Sequence, residues 1–215
     1  AMKEGRIVRI EELTRVSSDV QDTLITILSE KMLPIPEINM QVRANRGFNV
    51  IATANNRDKG VNELSSALKR RFNTVILPVP ESIEEEVEIV RQRVESFSKS
   101  VKLPFEGSIV REIERVVTIF RELRNGVSSD NKVKLKSPSG TLSIAEAISV
   151  VNNGVSLAYY FGDGSIKADD IAGGILGAIV KDPVQDKIVM QEYMETVLKQ
   201  KDGWKDIYRV CRDII

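Results

Sequence analysis

The chain has 215 residues, enough for one substantial core or two modest domains. Its 31 Lys and Arg balance 31 Asp and Glu, so a net charge of zero gives no general electrostatic case for nucleic acid or an anionic membrane. Histidine is absent and Cys211 is the only cysteine, which excludes a histidine–cysteine zinc site, an internal disulfide and a serine–histidine–aspartate triad. Carboxylates, Asn, Thr, Lys and Arg remain, a set that suits phosphate and magnesium better than acyl transfer. No secretory leader and no apolar run of bilayer length stands out, so a cytoplasmic setting without a membrane partner is expected.

Gly5 to Ile10 reads as a short strand, followed at once by Glu11 and Glu12. Two acids at a strand end form an ordinary solvated turn, or else set one carboxylate near a hydrated magnesium ion and the other near an attacking water. Ser18 with Gln21 fits a capping box for a helix whose stripe is Val20, Leu24, Ile27 and Leu28. Lys31 to Pro36 and Ile38 to Arg43 read as two arms of a hairpin turning near Glu37, and Pro34 and Pro36 confine it to an edge. Arg43 and Arg46 decorate it as solvated or intersubunit charges.

Phe48 to Ala52 and Val75 to Leu77 are short apolar runs without alternation, as in parallel strands buried on both faces. Chemistry in such sheets collects where strands release the chain at their carboxyl ends. Thr53 and Asn55 follow the first run, and Arg70 and Arg71 precede the second. Taken alone, Asn55 is also a good turn or capping residue, and Arg70-Arg71 a solvated helix end.

Beyond Pro78 and Pro80 the period is helical. Ser82 with Glu85 starts a helix with stripe Ile83, Val87, Val90 and Val94; Pro104 precedes another through Ile109, Ile113, Val116, Phe120 and Leu123, stopped by Asn125-Gly126. Residues 127–140 read as a polar loop. Ser143 and Glu146 box the next helix, weakened by Asn152-Asn153-Gly154. Lys167 to Val180 is expected to be helical, with Gly173, Gly174 and Gly177 allowing another backbone to approach. Pro183 opens a helix to about Gln200, and Trp204 to Ile214 forms the last, with Tyr193, Trp204, Tyr208 and Cys211 as core or interface residues. The chain thus divides into an incomplete α/β portion, residues 1–80, and an all-helical portion, residues 81–215.

GRIVRIEEL, then VIATANN, then LSSALKRRF, then a helical region resembles the AAA+ ATPases, and within them the MoxR-like branch. The resemblance implies a partial P-loop NTPase parallel sheet followed by a helical lid, with ATP and magnesium as cofactors. By it, Glu11 falls at the magnesium-side acid of the Walker B strand, acting through water. Glu12 matches the glutamate that polarises water, Asn55 the sensor 1 asparagine, and Thr53 supports the same strand end. Arg71 matches the arginine finger, with Arg70 the next candidate. No Gly-x-x-x-x-Gly-Lys-Ser/Thr sequence occurs, so the phosphate-cradling loop is expected in a preceding part of the parent, and this chain alone is expected to be inactive. Glu11 replaces the usual aspartate, and Ser137-Pro138-Ser139 stands where a sensor 2 arginine is expected, leaving Lys134 or Lys136 as substitutes.

The resemblance implies a chaperone or remodelling ATPase working as a homo-oligomeric ring, a hexamer, on a protein substrate or with a von Willebrand factor A-domain partner. The alternatives are a catalytically degenerate helical interaction module and a DNA-associated motor. Zero net charge and modest hairpin basicity count against nucleic acid.

Overall fold

In the computed structural model, which describes residues 1–55, 62 and 64–215, the chain separates into two compact units, Ala1–Leu77 and Pro78–Ile215. The first holds β1 (Ile7–Ile10), α1 (Ser18–Glu30), β2 (Met32–Ile35), β3 (Met40–Arg43), β4 (Asn49–Ala52) and the single turn α2 (Ser66–Lys69). β1 and β4 pair in parallel, Ile7 opposite Asn49 through to Ile10 opposite Ala52. Parallel pairing requires a long crossover, and α1 with the β2–β3 hairpin supplies it. The hairpin pairs Met32 with Arg43 and Ile35 with Met40 in antiparallel register, around a short turn at Pro36–Ile38. A two-stranded ribbon leaves every second amide pointing outward, so Pro34 is accommodated within it. Gly5 turns into β1 at φ 65°, where a Cβ would collide with the Arg46 carbonyl, so the turn requires glycine.

Several expectations fail in this unit: Val20, read into the buried stripe of α1, is 50% exposed, and Ile51 of β4, read as buried on both faces, is 54% exposed. Val75 to Leu77 is not a strand: Ile76 and Leu77 are each 85% exposed, and the run pairs with no strand among the described residues. Strand propensity without a ladder partner leaves the backbone to water. Gln21 does not cap α1 either. It is buried, donates to the Val16 carbonyl at 3.2 Å, and accepts the Ser65 amide at 3.3 Å, so a tertiary link replaces the local box.

The second unit is entirely helical: α3 (Ile83–Ser100), α4 (Gly107–Asn125), α5 (Ile144–Phe161), α6 (Ala168–Ile179), α7 (Gln185–Thr196) and α8 (Lys205–Ile214). Ser82 accepts the Glu85 amide, and Ser143 with Glu146 forms a complete capping box, which satisfies amides that the first turn leaves orphaned. Gly126 ends α4 in the left-handed region at φ 70°. The core runs continuously from Val90 and Val94 through Ile113, Phe120 and Val151 to Ile175, Met190 and Cys211. Burial pushes the Cys211 thiol up to about 12, leaving an inert packing residue.

Gly154 does not weaken α5. A Cβ there would lie 2.6 Å from Ile171 Cγ2 and 3.0 Å from Ile166 Cδ1, so the glycine lets α5 and α6 come together. Of the glycines expected to serve that purpose, Gly174 does, since a Cβ there would lie 3.2 Å from Val150 Cγ1, whereas Gly173 and Gly177 face open space. α7 also stops short of Gln200: it ends at Thr196, and Leu198–Gln200 forms a tighter turn. The result is a partial parallel-sheet core followed by an all-helical lid. Among the described residues, no helix is long and apolar enough to cross a membrane.

Candidate active site

The parallel pair continues beyond its last residues as a polar clasp. The Thr53 amide donates to the Ile10 carbonyl at 2.9 Å, and the Leu13 amide returns to the Thr53 carbonyl at 2.8 Å. Thr53 Oγ1 donates to Glu11 Oε2 at 2.5 Å and accepts the Glu12 amide at 3.1 Å. One hydroxyl therefore joins the exit of β4 to both acids at the exit of β1. The Thr53 hydrogen bond, with Arg9 Nε on the other carboxylate oxygen, holds Glu11 below the usual carboxylate range, so it stays ionised at neutral pH.

Glu12 adopts the left-handed backbone at φ 53° and ψ 48°. For a non-glycine residue this costs about 1–2 kcal/mol, and the ladder bonds on either side hold it there. The turn separates the two carboxylates: Glu11 faces Thr53 and Arg9, while Glu12 Oε2 meets Arg15 Nε at 2.6 Å. Asn55 leaves β4 two residues after Thr53 and is exposed. The donors are hard oxygens, as magnesium requires. Among the described residues no cluster of three or more acidic, His or Cys groups could hold a metal, so an ion here would take most of its ligands from water and phosphate.

The two arginines lie elsewhere in the same unit. Ser65 caps α2 by accepting the Leu68 amide at 3.2 Å, and the turn hands the chain to Arg70 and Arg71. Arg71 is tied inward, donating to the Ala67 carbonyl at 2.7 Å and to Ser29 Oγ near the end of α1. Arg70 is exposed, without a side-chain hydrogen bond or ion pair among the described residues. Neither arginine bonds to Glu11 or Glu12, so the structure unites Glu11, Glu12 and Thr53 and leaves the guanidinium groups apart.

In the helical unit, Ser139 is committed to Asp186, which accepts both its amide and its hydroxyl at 2.7 Å. Lys136 pairs with Glu192 at 3.0 Å, whereas Lys134 is exposed. Sequence reasoning missed the buried charges of α4. Glu122 accepts from Tyr193 at 2.5 Å, Lys201 at 2.7 Å and Ser129 at 2.6 Å, and Arg115 bridges Glu112 to Asp206. Tyr193, Lys201 and Asp206 lie some seventy to ninety residues further along the chain, beyond the reach of any helical spacing.

Comparison with known proteins defines the class. The family model "AAA domain (dynein-related subfamily)" matches residues 1–72, which hold the paired strands and the Thr53 clasp. The model "YehL-like AAA+ ATPase C-terminal domain" matches residues 84–213, and the chain belongs to that family. YehL of Escherichia coli strain K12 is 34% identical over 219 residues, covering 97% of this chain and 58% of its own length. YojN of Bacillus subtilis strain 168 is 31% identical over 155 residues, 69% of this chain and 46% of its own. The chain thus spans about half the length of the curated relatives it matches.

NtrX from Brucella abortus, solved in complex with ADP, shares the fold at a TM-score of 0.50 and 15% identity, over 97% of this chain and 45% of that one. This likeness corrects the expectation that charge balance argues against nucleic acid. The likeness shows the fold alone, and net charge averages over a surface on which local patches decide binding, so a zero balance does not make nucleic acid unlikely.

Proposed function

We propose that the full-length protein hydrolyses ATP and that this chain supplies the hydrolysis side of its nucleotide site. The Thr53 clasp carries the proposal: one side chain holds both acids against the end of a parallel strand pair, where such sheets bind ligands. Magnesium, when bound, neutralises phosphate charge and orients the reacting group. Glu11, kept ionised, would face that ion through water. Glu12 would orient the attacking water, which requires the exposed Arg15 contact to open or to share its carboxylate. Asn55 would position the same water, with Thr53 fixing the geometry of all three.

Arg71 and Arg70 would neutralise charge at a nucleotide held by another copy. Arg71 has to leave Ser29 to do so, while Arg70 already projects from the chain. A cytoplasmic setting, where ATP is available, is part of the proposal.

Of the working modes, we favour DNA-associated remodelling. The NtrX-like fold supports it, as does a hairpin flanked by exposed Lys31, Arg43 and Arg46. A MoxR-type chaperone is the second reading, supported by the order of the GRIVRIEEL, VIATANN and LSSALKRRF segments. The test is ATP turnover by full-length protein, with and without duplex DNA. Glu12→Gln should lower turnover on the order of 10²–10⁴-fold while nucleotide binding persists. Unchanged turnover rejects the assignment, and a wild-type protein that never turns over is the degenerate interaction module instead.

A further inference from the structure

α8 buries Ile207 and Cys211 and turns Lys205, Arg209 and Arg212 outward at helical spacing. Lys199, from the turn preceding α8, closes the opposite side of a concavity of about 260 Å3 lined by these four cations and Tyr208. The hollow has a fixed part and a free part. Glu195 accepts the Tyr208 hydroxyl at 2.6 Å and pairs with Lys199 at 2.7 Å, while Asp213 pairs with Arg212 at 3.2 Å. Lys199 Nζ and Arg212 Cζ lie 5.9 and 5.8 Å from the Tyr208 ring centroid, so the ring holds both beside the hollow. Lys205 and Arg209 have no side-chain hydrogen-bond or ion-pair partner among the described residues.

An ordinary solvated helix face mixes its charges, and this chain has equal numbers of each sign to mix. Here Lys205 and Arg209 stand one turn apart beside the hollow, and like charges at that spacing repel each other in the free protein. A bound anion would relieve that repulsion. The helical cations, Lys205 to Arg212, span eight residues of α8, about 10 Å, which suits a repeating polyanion better than a single ion. Duplex DNA presents such a repeat, and guanidinium matches phosphate oxygens in a planar fork.

We propose that Lys205 and Arg209, flanked by Lys199 and Arg212 about Tyr208, form a binding site for the phosphodiester backbone of DNA. This rests on the DNA-associated reading and gives it a location in the helical lid. The test measures binding of the chain to a labelled short duplex by fluorescence anisotropy across a salt titration. Lys205→Ala with Arg209→Ala should flatten the slope of log affinity against log salt by about 2, at ~0.9 per lost phosphate contact. The charge-preserving pair Lys205→Arg with Arg209→Lys should keep the slope, which separates lost charge from altered folding. Wild-type binding with an unchanged slope in the alanine pair overturns this site and leaves the DNA-associated reading standing. No wild-type binding at low salt overturns both. If the alanine pair loses pyrophosphate binding but keeps its DNA affinity and slope, the site takes free anions and the proposal fails.

Discussion

The two units bury their apolar residues to very different degrees. In the first, Leu13, Phe48, Val50 and Leu68 are covered, yet Ile7 remains 62% and Ile51 54% exposed on the paired strands. In the second, one cluster runs unbroken through the helices, and even its charges are buried in pairs. Helices can cover one another's apolar stripes locally, whereas a parallel strand needs layers on both faces. In the first unit the polar clasp sits on a strand pair whose apolar residues are only partly covered by the described residues. The second is a closed, self-supporting lid.

This contrast predicts the largest stability effects within the lid. Glu122→Ala leaves Lys201 and Tyr193 without their shared carboxylate and should cost about 3–5 kcal/mol in denaturant unfolding. A loss under about 1 kcal/mol would put Glu122 on a par with surface charges. Its protonation gives the same contrast a pH axis. Burial alone would raise the Glu122 pKa, but bonds from Lys201, Ser129 and Tyr193 outweigh it and hold the group below the usual carboxylate range. A lowered folded pKa contributes stability that is complete above the unfolded value, about 4.3, and is lost as pH falls through the folded one. Wild type should therefore lose stability more steeply below about pH 4 than Glu122→Gln does. Parallel curves would contradict this role.

A smaller effect separates two glycines of the lid. Gly154→Ala should destabilise by about 1–3 kcal/mol, because its Cβ meets Ile171 and the Asp170 carbonyl. Gly173→Ala, facing open space on α6, should stabilise by about 0.5–1 kcal/mol. Thermal unfolding of the two variants checks the opposite signs.

Much of this was legible along the sequence where the signal is local. Ser143 with Glu146, the hairpin with its prolines, and the apolar stripe of α4 all formed as read. Long-range determinants were not legible. Gln21 had a plausible local partner and took Ser65 instead, and Gly154 looked like a helix defect until Ile171 lay against it. Arg115 and Glu122 went unremarked because Asp206, Tyr193 and Lys201, which bind them, come from a distant part of the chain. At the strand ends, the sequence presented Glu11, Glu12 and Thr53 as separate candidates. The parallel register of β1 and β4 is what brings Thr53 onto both acids. The α8 cations passed unremarked because their apolar neighbours explain the helix without them.

The most direct test of the account is Thr53→Val in the full-length protein, with ATP turnover and nucleotide affinity measured side by side. The substitution keeps the shape of the side chain and removes the hydroxyl that joins Glu11 to Glu12. Turnover should fall on the order of 10²-fold at unchanged affinity, since misplacement of a positioned water is felt in the chemical step. Wild-type turnover with Thr53→Val would contradict the claim that the clasp sets the hydrolytic geometry.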